Sequence, residues 1–417
     1  MQTKIPDSFL ATKDGQLADS ILRSCVHCGF CTATCPTYLL TGNELDSPRG
    51  RIYLVKELLE DNPAAKNPIT KAHLDRCLSC QSCETTCPSN VDYHQLLDIG
   101  KARLKTTIRI PFFSRLWKDI LLGFISSRLF FSAAVKIGQV FSILLPGRIA
   151  RQLPAKVKFA NSSNASASCE RQVILLGGCV QQSLSPNTNR AAQKILSRLG
   201  VGVITLQQES CCGAMHYHSD SQRKGLINAK RLVEQIESSL AEGAESAIST
   251  ASGCGSFIKT YSEVFRNDPD MLERLGNLEG KIMDIGEFLA KEDLEKISLN
   301  GSARMTFHSP CTLQHGQGLS GVTEEMLIKL GIQLQPVKDS HLCCGSAGTY
   351  SLFQGEIAGA LRERKLSALN ADKAENIATA NIGCQCHIAS GTTTSVKHWV
   401  EYVAELLPNQ SQADIVN

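Results

Sequence analysis

The sequence contains no uninterrupted apolar run of about 18 residues, so no transmembrane helix is expected. It also lacks a Walker motif, a G-x-S-x-G turn and any obvious flavin-binding stretch, so the chain is expected to carry electrons without an organic cofactor of its own. No secretory signal precedes Cys25; the opening MQTKIPDSFLATKDG is polar, and an intracellular address with reduced thiols is the expectation. Acidic residues are almost missing from residues 101–160, where Asp119 stands alone against 12 of the chain's 43 Lys and Arg. That stretch carries +11, while the remainder carries −8.

What is abundant is cysteine. Eighteen cysteines in 417 residues are too many for a typical cytosolic enzyme and too dilute for a disulfide scaffold, so metal ligation is the better account. The chain is long enough for two or three domains, and 42% apolar with 20% charged residues is ordinary for a globular protein.

Eight of the cysteines fall in two runs. Cys25 to Pro36 reads C-V-H-C-G-F-C-T-A-T-C-P, and Cys77 to Pro88 reads C-L-S-C-Q-S-C-E-T-T-C-P. This is the bacterial ferredoxin spacing for a 4Fe–4S cluster. Each iron of the cubane needs one thiolate, and a tight loop can set three sulfurs around three corners. The fourth cysteine leaves on the next segment, and the proline fixes that exit without a spare N–H. In two-cluster ferredoxins that fourth cysteine serves the other cluster. The expected ligands are therefore Cys25, Cys28, Cys31 and Cys87 for one cluster, and Cys77, Cys80, Cys83 and Cys35 for the second. One such run could be a zinc knuckle or chance; two complete runs, each ending in C-P, speak against both.

Around these loops the pattern predicts an all-helical domain over residues 1–105, with helices at ADSILRS, from Pro48 through LVKELLED, and at LDIGKARLK. Arg49 and Arg51 could face the clusters or a partner, or simply solvate the surface. In residues 106–160, apolar and aromatic residues interleave with Arg115, Lys118, Arg128 and Lys136 at helical intervals. Such a basic amphipathic segment suits an anionic membrane face, and equally a core or partner contact. A linker is expected at residues 161–170, where NSSNASAS is of low complexity.

Two repeats follow, over residues 171–300 and 301–417. Cys179, the Cys211-Cys212-Gly213 run and Cys254 mark the first; Cys311, Cys343-Cys344-Gly345 and Cys384 mark the second. The offset is 132 residues for the first cysteine and the pair, and 130 for the last. Each copy predicts three strands alternating with helices, hence an α/β unit with parallel strands. Cysteines at the carboxyl ends of such strands converge on one edge, where these folds bind ligands. Two pseudo-equivalent candidate metal or redox sites result, Cys179, Cys211, Cys212 and Cys254 in one, and Cys311, Cys343, Cys344 and Cys384, with Cys386 nearby, in the other. Cys169, at the linker's end, reads as a bystander. His308, His315, His341 and His387 gather near the second site in sequence, and His216 and His218 near the first; each could bind metal, move protons or serve structure. Gly316, Gly318 and Gly321 form a formal G-x-G-x-x-G that does not directly follow a strand, which speaks against a dinucleotide site.

Tandem C-x-x-C-x-x-C-x-x-x-C-P loops followed by two Cys-Cys-Gly repeats resemble the iron–sulfur subunits of glycolate oxidase (glycolate dehydrogenase). The layout is shared with the iron–sulfur subunits of anaerobic glycerol-3-phosphate dehydrogenase, of lactate-utilisation systems and of heterodisulfide reductase. The stretches RSCVHCGFCTATCPTYLLTGNELDSPRGRIYL, LDRCLSCQSCETTCPS, SPNTN, TASGCG, PCTLQH, DSHLCCGSAGTY and TANIGCQ carry the likeness to the glycolate oxidase subunit. The resemblance implies two 4Fe–4S clusters, FAD-binding partner subunits that oxidise glycolate and often D-lactate, and electron delivery to quinone. It implies a place on the cytoplasmic face of the inner membrane, with no nucleic-acid partner. One departure stands out. Full sites of the heterodisulfide branch end in C-x-x-C, whereas these end Cys254-Gly255-Ser256-Phe257 and Cys384-Gln385-Cys386, which counts against non-cubane clusters and disulfide reduction.

Overall fold

A computed structural model describes residues 1–108, 112–140, 169–219, 221–371 and 373–408. The N-terminal part is helical. Its main helices run Lys13–Ser24, Pro48–Leu59, Pro68–Asp75 and Tyr93–Thr107, the last ending two residues beyond the expected boundary at 105. Their starts are written in the sequence. Thr12 and Ser47 accept from the backbone N–H of Gly15 and Gly50, and Asn67 from those of Ile69 and Thr70, while Pro48 and Pro68 occupy first-turn positions that need no donor. Leu22, Val55, Leu58, Leu74 and Leu96 close the core between them.

Helices Phe112–Ser126 and Arg128–Val140 follow. The expectations for residues 141–160, and nearly all of the expected linker, fall outside the described residues. Leu122 and Val135 are buried, while Trp117 is 68% exposed and Phe130 67%. The hairpin is thus docked on one side, where the Ser126 hydroxyl meets His216 at 2.9 Å, the Ser221 hydroxyl donates to Asp119 at 2.6 Å, and Lys118 lies over the Phe353 ring. Among the described residues no single helix is long and apolar enough to cross a membrane; the two halves of this hairpin meet that test only together, bent by 84°.

Each repeat forms a four-stranded, wholly parallel sheet. The first has strands β1 Arg171–Leu176, β2 Val201–Ile204, β3 Ala247–Ser249 and β4 Ile282–Asp284, in the order β2-β1-β3-β4. The second has β5 Arg304–His308, β6 Gln333–Gln335, β7 Ile377–Thr379 and β8 Val396–His398, in the order β6-β5-β7-β8. Three strands per copy are those expected from the pattern. The fourth of each, IMD and VKH, was not expected; each is identified by its pairing with β3 or β7 across a long connection. The helix after each fourth strand crosses to the other repeat. Ile285–Leu289 packs on Val322–Lys329, and Trp399–Leu406 on Pro186–Arg198, so one core holds Val173 and Ile195 together with Met305 and Trp399. This reciprocal exchange makes the two repeats one body with a pseudo-two-fold axis.

Candidate metal centres

The two ferredoxin-type loops superpose residue on residue at an offset of 52. Both bend at the same two positions. His27 and Gly29 in the first, and Ser79 and Gln81 in the second, have φ of 56°, 87°, 50° and 58°. Three of these four are not glycine, so the left-handed turns store strain, as loops that aim several groups at one point do. The bends turn each triad of sulfurs inward.

Cys25, Cys28, Cys31 and Cys87 line one recess. Cys35, Cys77, Cys80 and Cys83 line a second beside it, with Cys83 on the wall common to both. The fourth cysteine of each loop therefore stands with the other loop's triad, which is the crossed arrangement. Four sulfurs about a recess fit a 4Fe–4S cluster. Burial pushes the Cys31 thiol up to about 11 and those of Cys80 and Cys83 well above their ordinary value, so ionisation here calls for iron to displace the protons.

The two arginines of the Pro48 helix differ. Arg49 pairs with Glu44 at 2.5 Å near the first loop and is partly exposed. Arg51 is 1% exposed and lies beneath the second loop, donating to the His73 carbonyl at 2.8 Å and to the Thr37 hydroxyl at 3.1 Å. Asp46, wholly buried, balances it at 3.7 Å and accepts from Arg76 at 3.0 Å and from His73 at 2.8 Å.

In the repeats the Cys-Cys-Gly glycine has a physical reason. Gly213 and Gly345 have φ of 91° and 92°, and a Cβ there would lie 2.3 Å from the Gly225 carbonyl oxygen or 2.8 Å from that of Ala358. The following helix is thus pressed against the loop, and only glycine fits. The sulfurs then gather as expected at the carboxyl ends of the strands. Cys179 and Cys211 lie 3.5 Å apart, and Cys311 and Cys343 3.8 Å, while Cys212 meets Cys254 and Cys344 meets Cys384. In each copy the glycine N–H donates to the first cysteine of the pair at 3.4 Å.

Cys386 is the exception. It sits two residues past Cys384 in the helix Ile382–Ala389, and only burial raises its thiol, to about 11; no neighbouring cysteine contributes. Two helical residues turn about 200°, so Cys384 and Cys386 leave on different sides. The second site brings together four cysteines, like the first, and the expected fifth stays apart.

The histidines also sort themselves. His315 binds the Thr85 hydroxyl and the His341 carbonyl, His387 the Ala358 carbonyl, and His216 the Ser126 hydroxyl, while His218 faces Asp98 at 3.8 Å. These are structural contacts. Among the described residues His308 is the one histidine grouped with two sulfurs: one of its ring nitrogens and the Sγ atoms of Cys344 and Cys384 all lie within 4.8 Å of one another. Gly316 serves packing, since a Cβ there would lie 2.3 Å from the Ser256 hydroxyl and 2.9 Å from the Gln81 amide oxygen. That is the junction of the ferredoxin domain with both repeats, not a phosphate cradle.

Three residues had no sequence signal. Lys365 is 2% exposed, donates to the Asp339 and Ser340 carbonyls at 3.1 and 3.4 Å, and faces the four sulfurs of the second site. In LRERKLS it looks like any solvated lysine. Glu209 supports the first site by accepting from Gly177 and Gly178 at 2.7 and 2.9 Å. Tyr350 donates to the Arg76 carbonyl at 3.0 Å and packs with Leu78, Cys80, Cys311 and Cys343 in one small cluster. The second repeat site therefore lies directly against the second ferredoxin-type loop.

Comparison with known proteins agrees with this layout. Residues 21–91 match the 4Fe-4S dicluster domain family, and residues 173–259 and 305–389 match the cysteine-rich domain family. The glycolate oxidase iron-sulfur subunit of Escherichia coli K12 is 45% identical over 410 residues, 98% of this chain and 100% of that protein. The probable glycolate oxidase iron-sulfur subunit of Bacillus subtilis 168 is 27% identical over 89% of both chains. The lactate utilization protein A of Geobacillus thermodenitrificans is 27% identical over 52% of this chain and 90% of that one. A crystal structure of a hypothetical protein from Helicobacter pylori shares the fold, with a TM-score of 0.55 at 12% identity, covering 97% of this chain and 74% of that one. With both domain families in place and near-complete coverage of the Escherichia coli protein, the chain belongs to the family of glycolate oxidase iron–sulfur subunits.

Proposed function

We propose that this chain is the electron-transfer subunit of a flavin-dependent dehydrogenase complex that oxidises glycolate, and D-lactate with it, to the 2-oxo acid. FAD-binding partner subunits take the hydride, and quinone at the cytoplasmic face of the inner membrane takes the electrons. Two 4Fe–4S clusters, held by Cys25, Cys28, Cys31 and Cys87 and by Cys77, Cys80, Cys83 and Cys35, supply the one-electron chemistry. The observation that carries this reading is the crossing of the two loops with the second repeat site set against Cys80. Redox-competent sulfurs stand in a row from the exposed first loop to the edge of the second sheet. The chain's own residues hold that row dry and fixed: Leu78 and Tyr350 fill the space between Cys80 and Cys343, and Arg51 places a buried cation under Cys35 and Cys77.

The helical hairpin supplies the membrane contact in this reading. Its outward side offers Trp117, Ile120, Leu129 and Phe130 with Arg128 and Lys136. Each cation near an anionic surface contributes about 1 kcal/mol, and salt shortens its reach.

The test is reconstitution. The purified, flavin-free chain is expected to show no glycolate-dependent dye reduction, and addition of the flavoprotein subunits to restore it together with quinone reduction. Glycolate oxidation by the chain alone would refute the assignment. A complex that survives a high-salt wash after Arg128 and Lys136 are neutralised would place the membrane anchor on a partner.

A further inference from the structure

The two repeats are near copies, yet the second carries polar groups at two positions beside its sulfurs where the first is apolar. His308 is the last residue of β5 and pairs in register with Thr379 at the end of β7. Its counterpart is Leu176, the last residue of β1, which pairs with Ser249 at the end of β3. Lys365 falls where the first repeat's helix carries Leu232 and Val233, both buried and apolar. The first site keeps its own histidine, His216 near Cys211, which is tied to the Ser126 hydroxyl; the second has an imidazole and an ammonium at two positions that are apolar in the first.

The imidazole is set up as a ligand. His308 is 2% exposed, its Nδ1 lies 3.0 Å from the Thr379 hydroxyl, and its Nε2 has no hydrogen-bond partner. A neutral ring that donates from Nδ1 keeps its Nε2 lone pair free. Metal-bound histidines have this arrangement, one nitrogen on the ion and the other donating to an outer partner that fixes the ring. Leaving a buried nitrogen bare otherwise costs about 1–3 kcal/mol. The sulfurs have outer partners as well: the Asn381 amide donates to Cys384 at 3.4 Å, and the Ser346 N–H to Cys344.

Spacing decides what the site would hold. Among the described residues, His308, Cys344 and Cys384 form the one group of three His, Cys or carboxylate donors that all lie within 4.8 Å of one another. The sulfurs of the two ferredoxin-type recesses do not meet that limit. A cubane keeps its ligands on separate corners. A single tetrahedral zinc-class ion, with bonds of about 2.3 Å to sulfur and about 2.0 Å to nitrogen, draws its donors to roughly 3.5–3.8 Å. A small contraction of this trio reaches that spacing.

We infer that His308, Cys344 and Cys384 form a mononuclear site for a zinc-class divalent cation, specific to the second repeat, with one coordination position not filled by this trio. Binding releases the two thiol protons, and the two thiolates balance the ion's charge. Lys365 faces the same sulfurs together with those of Cys343 and Cys311. The ion would join the ends of β5 and β7 to the Cys-Cys-Gly loop, where Cys344 and Cys384 pack with Leu366, Ile377 and Ile388 of the same repeat. The inference goes beyond the electron-transfer reading: a zinc-class ion carries no electron itself, and its role here is to fix the second repeat beside the clusters; the readout is metal binding and needs no electron-transfer assay.

The experiment uses the full chain with both clusters assembled, freed of loosely bound metal by a mild chelator. Zn²⁺ binding is measured by competition and elemental analysis, and Co²⁺ serves as the spectroscopic probe. One equivalent with a thiolate-to-cobalt charge-transfer band and tetrahedral d–d intensity is expected, with iron content unchanged. His308→Ala is expected to weaken binding at least about 100-fold and Thr379→Val about 10-fold, the usual range for an outer partner. His308→Cys keeps a donor and is expected to keep the ion, and Cys212→Ser in the first repeat to leave it untouched. The EPR signals of the two clusters report whether each variant has folded; if His308→Ala has not, His308→Cys and Thr379→Val carry the test. Zn²⁺ binding at wild-type strength in folded His308→Ala would overturn the inference, as would several irons found at this site in place of one ion.

Discussion

Arg51 donates to the Thr37 hydroxyl at 3.1 Å, and that hydroxyl lies 3.3 Å from the Sγ of Cys35. A buried cation is thus one hydroxyl away from a proposed ligand of the second cluster. It is fully enclosed, so water screens it little. Positive charge favours the more negative, reduced state of a cluster and so raises its potential. Arg51→Met should lower the potential of the cluster held by Cys77, Cys80, Cys83 and Cys35 by several tens of millivolts, roughly the effect of one charge at an intermediate dielectric. The first cluster, nearer the solvent-facing Arg49, should move less. Redox titration followed by EPR gives both values, and an equal shift in the two would remove Arg51 from any selective role. Asp46 keeps His73 and Arg76, so the variant should fold with reduced stability.

The crossing of the loops makes its own prediction. Cys35 belongs in sequence to the first loop, but in space it lines the recess of the second triad. Cys35→Ser should therefore disturb the cluster anchored by Cys77, Cys80 and Cys83 and spare the one anchored by Cys25, Cys28 and Cys31. Cys87→Ser should do the reverse. The EPR spectra of the two variants should be complementary. Damage confined in each case to the variant's own loop would mean uncrossed ligation.

His94 joins the ferredoxin domain to the first repeat. It contacts Glu84 at 3.0 Å, one residue after Cys83, and Glu263 of the first repeat at 2.7 Å. Burial works to lower its pKa, but hydrogen bonds to Glu263 and Glu84 outweigh that and raise it to about 10. A pKa raised on folding contributes stability that is complete below the unfolded value of about 6.5 and fades as pH rises through the folded one. His94→Gln should cost about 2 kcal/mol near pH 6, in keeping with charged hydrogen bonds, and progressively less toward pH 10. Thermal unfolding of both proteins across that range checks it. A difference that stays constant with pH would show that the contact is steric and not ionic.

The parts legible in the sequence were those with fixed spacing. The two cysteine runs, their proline exits and the repeat offset depend on local chain geometry, and so did the strands at VILLGG and MTFHSP, whose β-branched and apolar runs are long enough to show. The strands IMD and VKH were not, because their identity comes from pairing with β3 and β7 across long connections. The site residues divide likewise. Cys384 and Cys386 look interchangeable in I-G-C-Q-C until a helix turns one of them away. Six histidines looked alike until the fold set His308 within reach of Cys344 and Cys384. Lys365 could not be found, since nothing local marks a lysine that tertiary packing will bury, and the same holds for Arg51 beside Arg49.

The last prediction concerns which repeat matters to electron transfer. Each copy gathers four cysteines at the carboxyl ends of its strands, but their surroundings differ. In the first, hydrogen bonds from Cys179 and Cys212 hold the Cys211 thiol well below its ordinary value, while Cys179 and Cys212 are pushed up. In the second, contact with Cys343 and burial raise Cys311; Cys311 lowers Cys343 and Cys343 lowers Cys344, but contacts with Cys344 and Cys384 respectively, together with burial, outweigh this and raise both. Location separates the copies more sharply. Cys311 and Cys343 share a cluster with Cys80 and Leu78 of the second ferredoxin-type loop, whereas the first site's sulfurs pack among Leu176, Tyr217 and Phe257 of their own repeat. An electron leaving the second cluster therefore meets the second repeat. Cys344→Ser should slow quinone reduction by the assembled complex at least about 10-fold, a barrier increase of about 1.4 kcal/mol, while flavin reduction by glycolate stays normal. Cys212→Ser should leave quinone reduction near wild type, and Cys386→Ser should be silent because its sulfur faces away. If Cys212→Ser is the damaging change, the route runs through the first repeat and the Ser126–His216 contact with the hairpin. If both leave the rate intact, the electrons leave the ferredoxin domain directly, and the repeats serve only to hold it.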